Sequence, residues 1–259
     1  MKRFYCSTMA IYPRYAVYYV PAPGSEFERF GSDLLGYDAY RGEAQPFLEA
    51  IIQAVPDWQD LTQDPRKYGF HATLKAPFSL APERTETELL AACELFATTP
   101  RHAPIIEPMV GSISGFIAVV PATPSTGLLE FAADCTRGFD SFRAPLTPED
   151  RARRHPSKLT ARQVDHLDHW GYPYVMEDFQ FHMTLTGRLS AERQAAILQL
   201  LRERFAKINL STFSVDRIAL FRQDEATSRF RIMAHHDLKG FNPKGGATID
   251  STPTRQTFS

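Results

Sequence analysis

Apolar and polar positions along this chain follow two periods, and the change from one to the other marks out the elements. Arg14–Val20 (RYAVYYV) is β-branched and aromatic and stops at Pro21, which predicts a strand. Helices are expected over Glu26–Leu35 and, shorter, over Phe47–Val55. In Tyr68–Pro77, Phe70, Ala72, Leu74 and Ala76 fall on one face, while Gly69, His71, Thr73 and Lys75 fall on the other. That is a half-buried strand with chemistry-capable groups on its outer face. Thr85-x-x-Glu88 is a capping box opening a helix with Leu89, Ala92, Cys93 and Phe96 on one stripe. Strands are expected over Ile105–Ile113 and Phe116–Val120, joined at Ser114-Gly115.

Leu128, Phe131, Ala132, Cys135 and Phe139 mark a further amphipathic helix. Residues 140–178 form a polar connection punctuated by proline, with short helices starting at Thr147-Pro148 and at the Thr160-x-x-Gln163 box and a stop at Gly171. Asp178–Gly187 repeats the earlier strand pattern. Phe179, Phe181, Met183 and Leu185 face one way, and Gln180, His182, Thr184 and Thr186 the other. Ser190 is expected to cap a helix burying Ile197, Leu200, Leu201, Phe205 and Ile208, and strands follow over Phe213–Phe221 and Arg229–Ala234. From Lys239 the chain is poor in apolar residues and reads as a disordered tail, 239–259.

The order strand, helix, strand, strand thus occurs twice, over about 69–121 and 180–237, an internal repeat of architecture with little sequence identity. The expected fold is α+β: one domain over 1–238 with two pseudo-symmetric antiparallel sheets, one per repeat, flanked by helices around a central cleft. A pseudo-two-fold would bring the two motif strands together.

Charge narrows the partners. With 29 Lys+Arg against 30 Asp+Glu among 259 residues, no global basic field draws in long nucleic acid. A small phosphorylated ligand or a short RNA end needs only a local pocket. Cys6, Cys93 and Cys135 are odd in number and widely spaced, which suggests free thiols in a reducing cytoplasm. The first twenty residues lack a signal-peptide core, and no run reaches the roughly 18 apolar residues of a membrane span.

The chemistry lies in two matching tetrads, His71-Ala72-Thr73-Leu74 and His182-Met183-Thr184-Leu185. Residues i and i+2 of a strand point the same way, so each strand offers an imidazole and a hydroxyl to one face. Two such strands suit phosphodiester cleavage. One neutral histidine takes a proton, a protonated one gives a proton to the leaving oxygen, and threonine hydroxyls donate to phosphate oxygens. A single His-x-Thr carries little weight; the pair carries the argument. The competing reading is a duplicated strand whose polar faces only bond each other.

Around this pair, Lys75 is either a cation for a second phosphate or an exposed strand-end lysine. Arg143 is either a phosphate clamp or half of a surface pair with Glu149 or Asp150. Tyr15, Tyr68 and Tyr174, with Tyr172, are candidates to wall the cleft or simply to pack its edge. Arg151, Arg153 and Arg154 read first as the solvated face of a short helix. His166 and His169 have helical spacing but no supporting ligand cluster, so no metal and no cofactor is expected.

At these residues the chain resembles the two-histidine (2H) phosphoesterase superfamily, whose signature is a pair of His-x-[Ser/Thr]-hydrophobic motifs and which includes the LigT-like proteins. The strings RYAVYYVPAP, KYGFHATLKAPF, FDSFRAPLTPEDRARR and LDHWGYPYVMEDFQFHMTLTGRL are similar to a branch named for phosphonate metabolism and encoded beside C–P lyase genes, over about residues 12–238. The resemblance implies a bilobal LigT-like fold and metal-independent hydrolysis, or reversible ligation, of cyclic or 2′,5′-linked phosphodiesters. His71 and His182 would be the acid–base pair, with Thr73 and Thr184 as phosphate donors. The implied substrate is a small ribosyl or nucleotide cyclic phosphate, 5-phosphoribosyl 1,2-cyclic phosphate being one candidate. RNA-end processing and a non-catalytic phospho-ligand module are the alternatives.

Overall fold

The computed structural model describes residues 11–240, so Cys6 and the tail beyond Gly240 lie outside the described residues. β1 (Arg14–Tyr19) leads into α1 (Glu26–Leu35), which starts where the Ser25 side chain accepts from the Glu28 N–H. A small hairpin, β2 (Tyr37–Asp38) and β3 (Glu43–Ala44), precedes three short helices, α2 (Glu49–Ala54), α3 (Trp58–Leu61) and α4 (Gln63–Arg66). The last two are absent from the sequence reading, because a four-residue helix is too short to show a period.

β4 (Ala72–Ser79) begins just after His71, and α5 (Glu86–Thr98) starts at the expected Thr85–Glu88 box. β5 (Ile105–Ile106), β6 (Pro108–Ile113) and β7 (Phe116–Pro121) follow, and then α6 (Thr126–Asp140), α7 (Pro148–Ala152) and α8 (Ala161–Trp170). β8 (Met183–Thr184), α9 (Ala191–Ala206), β9 (Phe213–Ser214), β10 (Arg217–Gln223) and β11 (Arg231–Asp237) complete the order. Ser190 stands at the N-cap of α9, but its side chain makes no capping bond.

The sheets are antiparallel, as expected, but they are joined. One seven-stranded sheet runs β11-β10-β1-β4-β8-β7-β6, and the junction is the pairing of Ala72 in β4 with Met183 in β8. The repeats are not the two halves of this sheet. The motif strand β4 lies with β1 and with the hairpin β10–β11 of the second repeat, whereas β8 lies beside the hairpin β6–β7 of the first. The helices follow the hairpins: α5 packs on β10 and β11, and α9 packs on β6 and β7. Each repeat therefore keeps its motif strand in one half and sends its hairpin to the other, which places both motif strands side by side in the middle.

The second motif strand is also shorter than its alternation suggests. Phe181, Met183 and Leu185 are buried as expected. Beyond Thr184 the chain turns away, with the Leu185 and Thr186 N–H groups both donating to the Ile117 carbonyl and that of Gly187 to the Leu61 carbonyl. Thr186 is fully buried, its hydroxyl oxygen accepting from the Ile117 N–H, so it does not share the His182 face.

One sheet face carries the main core, with Tyr15, Val17, Ala72, Leu74, Met183 and Leu220 packed under the helices. The opposite face carries a smaller aromatic cluster that includes Tyr18, Tyr37, Phe221 and Phe230. Cys93 and Cys135 are free and buried in the main core. Among the described residues no helix is long and apolar enough to cross a membrane.

Helix α1 is seated on the first motif by a glycine. A Cβ on Gly31 would lie 1.9 Å from the ring of Phe70, the residue before His71. Helix propensity alone would favour alanine there by about 1 kcal/mol. Overpacking opposes it, so Gly31→Ala is expected to destabilise the protein by about 1–3 kcal/mol in a urea titration, with the loss smaller in the Gly31→Ala/Phe70→Leu double variant.

Candidate active site

The junction strands set the geometry. With Ala72 opposite Met183 in an antiparallel pair, the next positions place His71 across from Thr184 and Thr73 across from His182. Opposed residues of an antiparallel pair have Cβ atoms about 4.5–5.5 Å apart. Ala72 and Met183 are fully buried beneath, so the four polar side chains rise from the other face as a diagonal arrangement of two imidazoles and two hydroxyls.

Both imidazoles are held in the same way. His71 Nδ1 donates to the Gly69 carbonyl at 2.9 Å, and His182 Nδ1 donates to the Gln180 carbonyl at 2.8 Å. A carbonyl can only accept, so the hydrogen sits on Nδ1 and the neutral ring offers the Nε2 lone pair. Gly69 has φ +75°, and a Cβ there would come within 2.8 Å of the Ala39 Cβ, which accounts for glycine at the residue that orients His71. Thr73 Oγ1 lies 3.4 Å from His71 Nε2.

Burial governs the protonation of the pair. It pushes the His71 pKa down from 6.5 to about 4, against the raising effect of the Gly69 carbonyl, and the charge of His182 pushes it further down. Burial also lowers His182, with the Gln180 carbonyl opposing. That the charge of one ring reaches the other is a direct consequence of their shared face.

Two adjoining cavities open above. The larger, about 360 Å³, is lined by Tyr18, Tyr68, His71, Thr73, Arg143 and Thr184 among others. The other, about 330 Å³, is lined by Phe116, Tyr174, Gln180, His182 and Arg188 among others. Thr73, Ala76, Tyr172 and Val175 belong to both walls. The connection 140–178 therefore roofs the site through Arg143, Tyr172, Tyr174 and Val175.

The other candidates are distributed unevenly. Lys75 is not an exposed strand end: it is buried, and its Nζ donates to Asp140 Oδ1 at 2.6 Å. Burial lowers its pKa and Asp140 opposes that. Arg143 binds the same carboxylate at 3.0 Å rather than Glu149 or Asp150, and reaches the His169 carbonyl at 2.9 Å. Lys75 and Arg143 thus line the larger cavity as a triad with Asp140, a partner that sequence reasoning assigned to neither. Tyr15 is not in the site. It points into the main core and its hydroxyl donates to Glu86 at 2.6 Å.

Tyr18, three residues on, takes the place that Tyr15 was expected to fill. Its ring stacks on His71 with centroids 3.9 Å apart. Parity along β1 separates the two tyrosines, but the sequence alone did not say which face held the site. Tyr68 lies 5.9 Å from His71, ring to ring, and stacks on Phe230. Tyr174 is exposed at the rim of the His182 cavity. Arg153 and Arg154 line the larger cavity, whereas Arg151 turns outward to Asp168. His166 faces Glu177 and Asp178, and among the described residues no group of three or more His, Cys, Asp or Glu could hold a metal ion.

This is an α+β protein whose central antiparallel strands carry paired His-x-Thr motifs over a two-chambered cleft. The family described as "Protein of unknown function (DUF1045)" matches residues 73–231, and the chain belongs to it. Two curated relatives carry the name ribose 1,5-bisphosphate phosphokinase PhnN. That of Janthinobacterium sp. (strain Marseille) is 38% identical over 178 residues, which are 68% of this chain and 39% of that protein. That of Laribacter hongkongensis (strain HLHK9) is 31% identical over 225 residues, 85% of this chain and 50% of that protein. The chain therefore spans half or less of the curated relatives it matches. Among solved structures, E. coli LigT complexed with NADP+ aligns over 87% of this chain and 97% of that chain, at 11% identity and a TM-score of 0.40. A conserved protein of unknown function from Agrobacterium tumefaciens aligns over 86% of each chain, at 12% identity and a TM-score of 0.42.

The depressed histidine gives stability a defined pH dependence. The folded His71 pKa lies below its unfolded value, so the unfolded chain binds the extra proton between pH 6.5 and about 4. Stability should fall as pH drops through that window, by at most about 3 kcal/mol from this group. Urea midpoints of wild type and His71→Gln from pH 7 to 4 test this: the wild type should lose more stability than the variant as pH falls, and parallel curves would contradict it.

Proposed function

We propose that this protein is a phosphodiesterase of the 2H type that opens a small cyclic phosphate without a metal ion. The observation that supports this most directly is the matched pair of imidazoles, each held through Nδ1 by the carbonyl two residues back, on one face with two threonine hydroxyls. A binding module for phosphate has no need of two neutral, identically oriented imidazoles.

In the proposed reaction the phosphorus sits between the two Nε2 atoms. One neutral imidazole takes a proton from water as its oxygen bonds to phosphorus. The bond from phosphorus to one ring oxygen breaks, and the second imidazole, protonated, gives its proton to that oxygen. One water is consumed and a phosphomonoester remains. The hydroxyls of Thr73 and Thr184 donate to the non-bridging oxygens, where charge builds.

Both histidines are neutral in the free protein at neutral pH, so the acid form must come from substrate binding. An anionic phosphate beside His71 and His182 favours their charged forms, opposing the burial that lowers them. Inorganic phosphate binding at pH 6 should therefore take up protons, seen by calorimetry as a heat that varies with the ionisation enthalpy of the buffer. No variation would contradict the coupling.

The curated relatives' name points to the substrate. Opening 5-phosphoribosyl 1,2-cyclic phosphate at the bond to O2 leaves the phosphate on C1, and the product is ribose 1,5-bisphosphate, the compound in that name. Incubation with this compound and with 2′,3′-cyclic nucleotides tests the reading. The expected result is turnover of the ribosyl compound, unaffected by EDTA, with a bell-shaped pH profile. Turnover of nucleotides alone would refute this substrate, and no turnover of either would refute the activity. His71→Ala and His182→Ala should each lower kcat by about 10²–10⁴-fold, with smaller effects on ligand affinity.

A further inference from the structure

Among the described residues five cations line the larger cavity: Arg14, Lys75, Arg143, Arg153 and Arg154. Three are already matched, Lys75 and Arg143 by Asp140 and Arg153 by Asp150. Arg14 and Arg154 are in no ion pair with the described residues. Arg14 spends one N–H on the Pro77 carbonyl at 3.0 Å. The Arg154 guanidinium lies over the Tyr172 ring, 5.1 Å from its centroid, and has no hydrogen-bond partner among the described residues. A guanidinium carries five N–H donors, so most of this donor capacity is unspent.

Position makes this more than a surface charge. Burial drives the Tyr18 hydroxyl well above its ordinary pKa, and Arg14 and Arg154 both oppose that, so both charges reach the ring stacked on His71. A chain of net charge −1 has concentrated five cations and two carboxylates at one wall of its site. Two unmatched guanidiniums lining one concavity raise its positive potential, and an anion bound there is favoured by both.

We propose that Arg14 and Arg154 form a subsite for a second phosphate on the substrate, a terminal phosphomonoester distinct from the cyclic phosphate held by the His-x-Thr pair. The proposal rests on the phosphodiesterase reading and narrows it: the preferred substrate is a doubly phosphorylated sugar rather than a nucleoside cyclic phosphate. It also orients the sugar. With the terminal phosphate in the larger cavity, the leaving oxygen lies on the His71 side and the His182 cavity is left for water.

Two measurements test the subsite separately from the chemistry. Steady-state rates are compared for 5-phosphoribosyl 1,2-cyclic phosphate and for ribose 1,2-cyclic phosphate, which lacks the terminal group. Arg154→Met and Arg14→Met should each lower kcat/KM by about 10–100-fold for the first compound and change the second less than about twofold. Arg154→Lys should restore part of the loss. Equal losses on both compounds, or no preference in the wild type, would overturn the subsite while leaving the phosphodiesterase standing. Calorimetry with ribose 5-phosphate and ribose needs no turnover. The wild type should bind the phosphate at least about tenfold more tightly, and Arg154→Met should erase the difference. Equal binding by the wild type would overturn the subsite, whether or not either cyclic compound is hydrolysed. Thermal melts identify any variant that fails to fold. Arg154 is half-exposed near the end of a short helix, so its variants carry the test if Arg14→Met is unstable.

Discussion

Everything at the site depends on one cross-strand pairing, that of Ala72 with Met183. It is where the two halves of the sheet meet, and both residues are fully buried on the core face. A strand has a period of two, so burying this pair obliges their neighbours His71, Thr73, His182 and Thr184 to leave by the other face. A slip of one residue would put imidazoles into the core and core residues into the cleft, and the cost of burying unpaired polar groups forbids it. The same hydrophobic contact that closes the sheet thus sets the spacing of the polar groups above it.

The exchange of hairpins explains how so short a strand holds its place. β8 has only two residues in the ladder, yet it is bonded on both sides, to β4 and to β7. Had each repeat kept its own hairpin, the motif strands would not be flanked by the partner repeat's elements. Loop closure over the 111 positions between His71 and His182 costs entropy, and the main core, shared by residues of both repeats, offsets it. At the end of α6, Lys75, Asp140 and Arg143 form a partly buried ion triad. Such a triad adds little net stability, since desolvation opposes the attraction, and its clearer consequence is a rigid cationic wall.

The parts that could be read from the sequence were those with a local cause. Caps at Thr85 and Thr160, the stop at Gly171, and the alternation over residues 71–74 and 181–185 are written within a few residues of where they act, and the structure shows each; farther along both strands the alternation fails, with Lys75 and Thr186 buried. What could not be read depends on pairing at a distance. Nothing local says that the Tyr15 side of β1 meets the helices while the Tyr18 side meets His71, because parity distinguishes two faces without naming them. Nothing local says that Asp140 stands between Lys75 and Arg143, since these residues come from a strand, a helix end and a loop. The run Arg151–Arg154 was legible as charge but not as direction: a helix end sends Arg151 to solvent and Arg154 to the cavity.

A cleft that holds both imidazoles neutral is at first sight a poor acid–base pair, because one of them must carry a proton. The contradiction dissolves once the substrate's charge is included. Desolvation penalises each imidazolium only while its counterion is absent, and a phosphodiester anion supplies that counterion at the place where the proton is needed. Placing the rings on a half-buried face that lowers their pKa then separates two states: neutral without substrate, charged on one side with it. On the proposed reading, the depressed pKa values are therefore compatible with catalysis. They make the proton arrive with the phosphate, and the unmatched guanidiniums at the far wall would decide which phosphate is able to bring it.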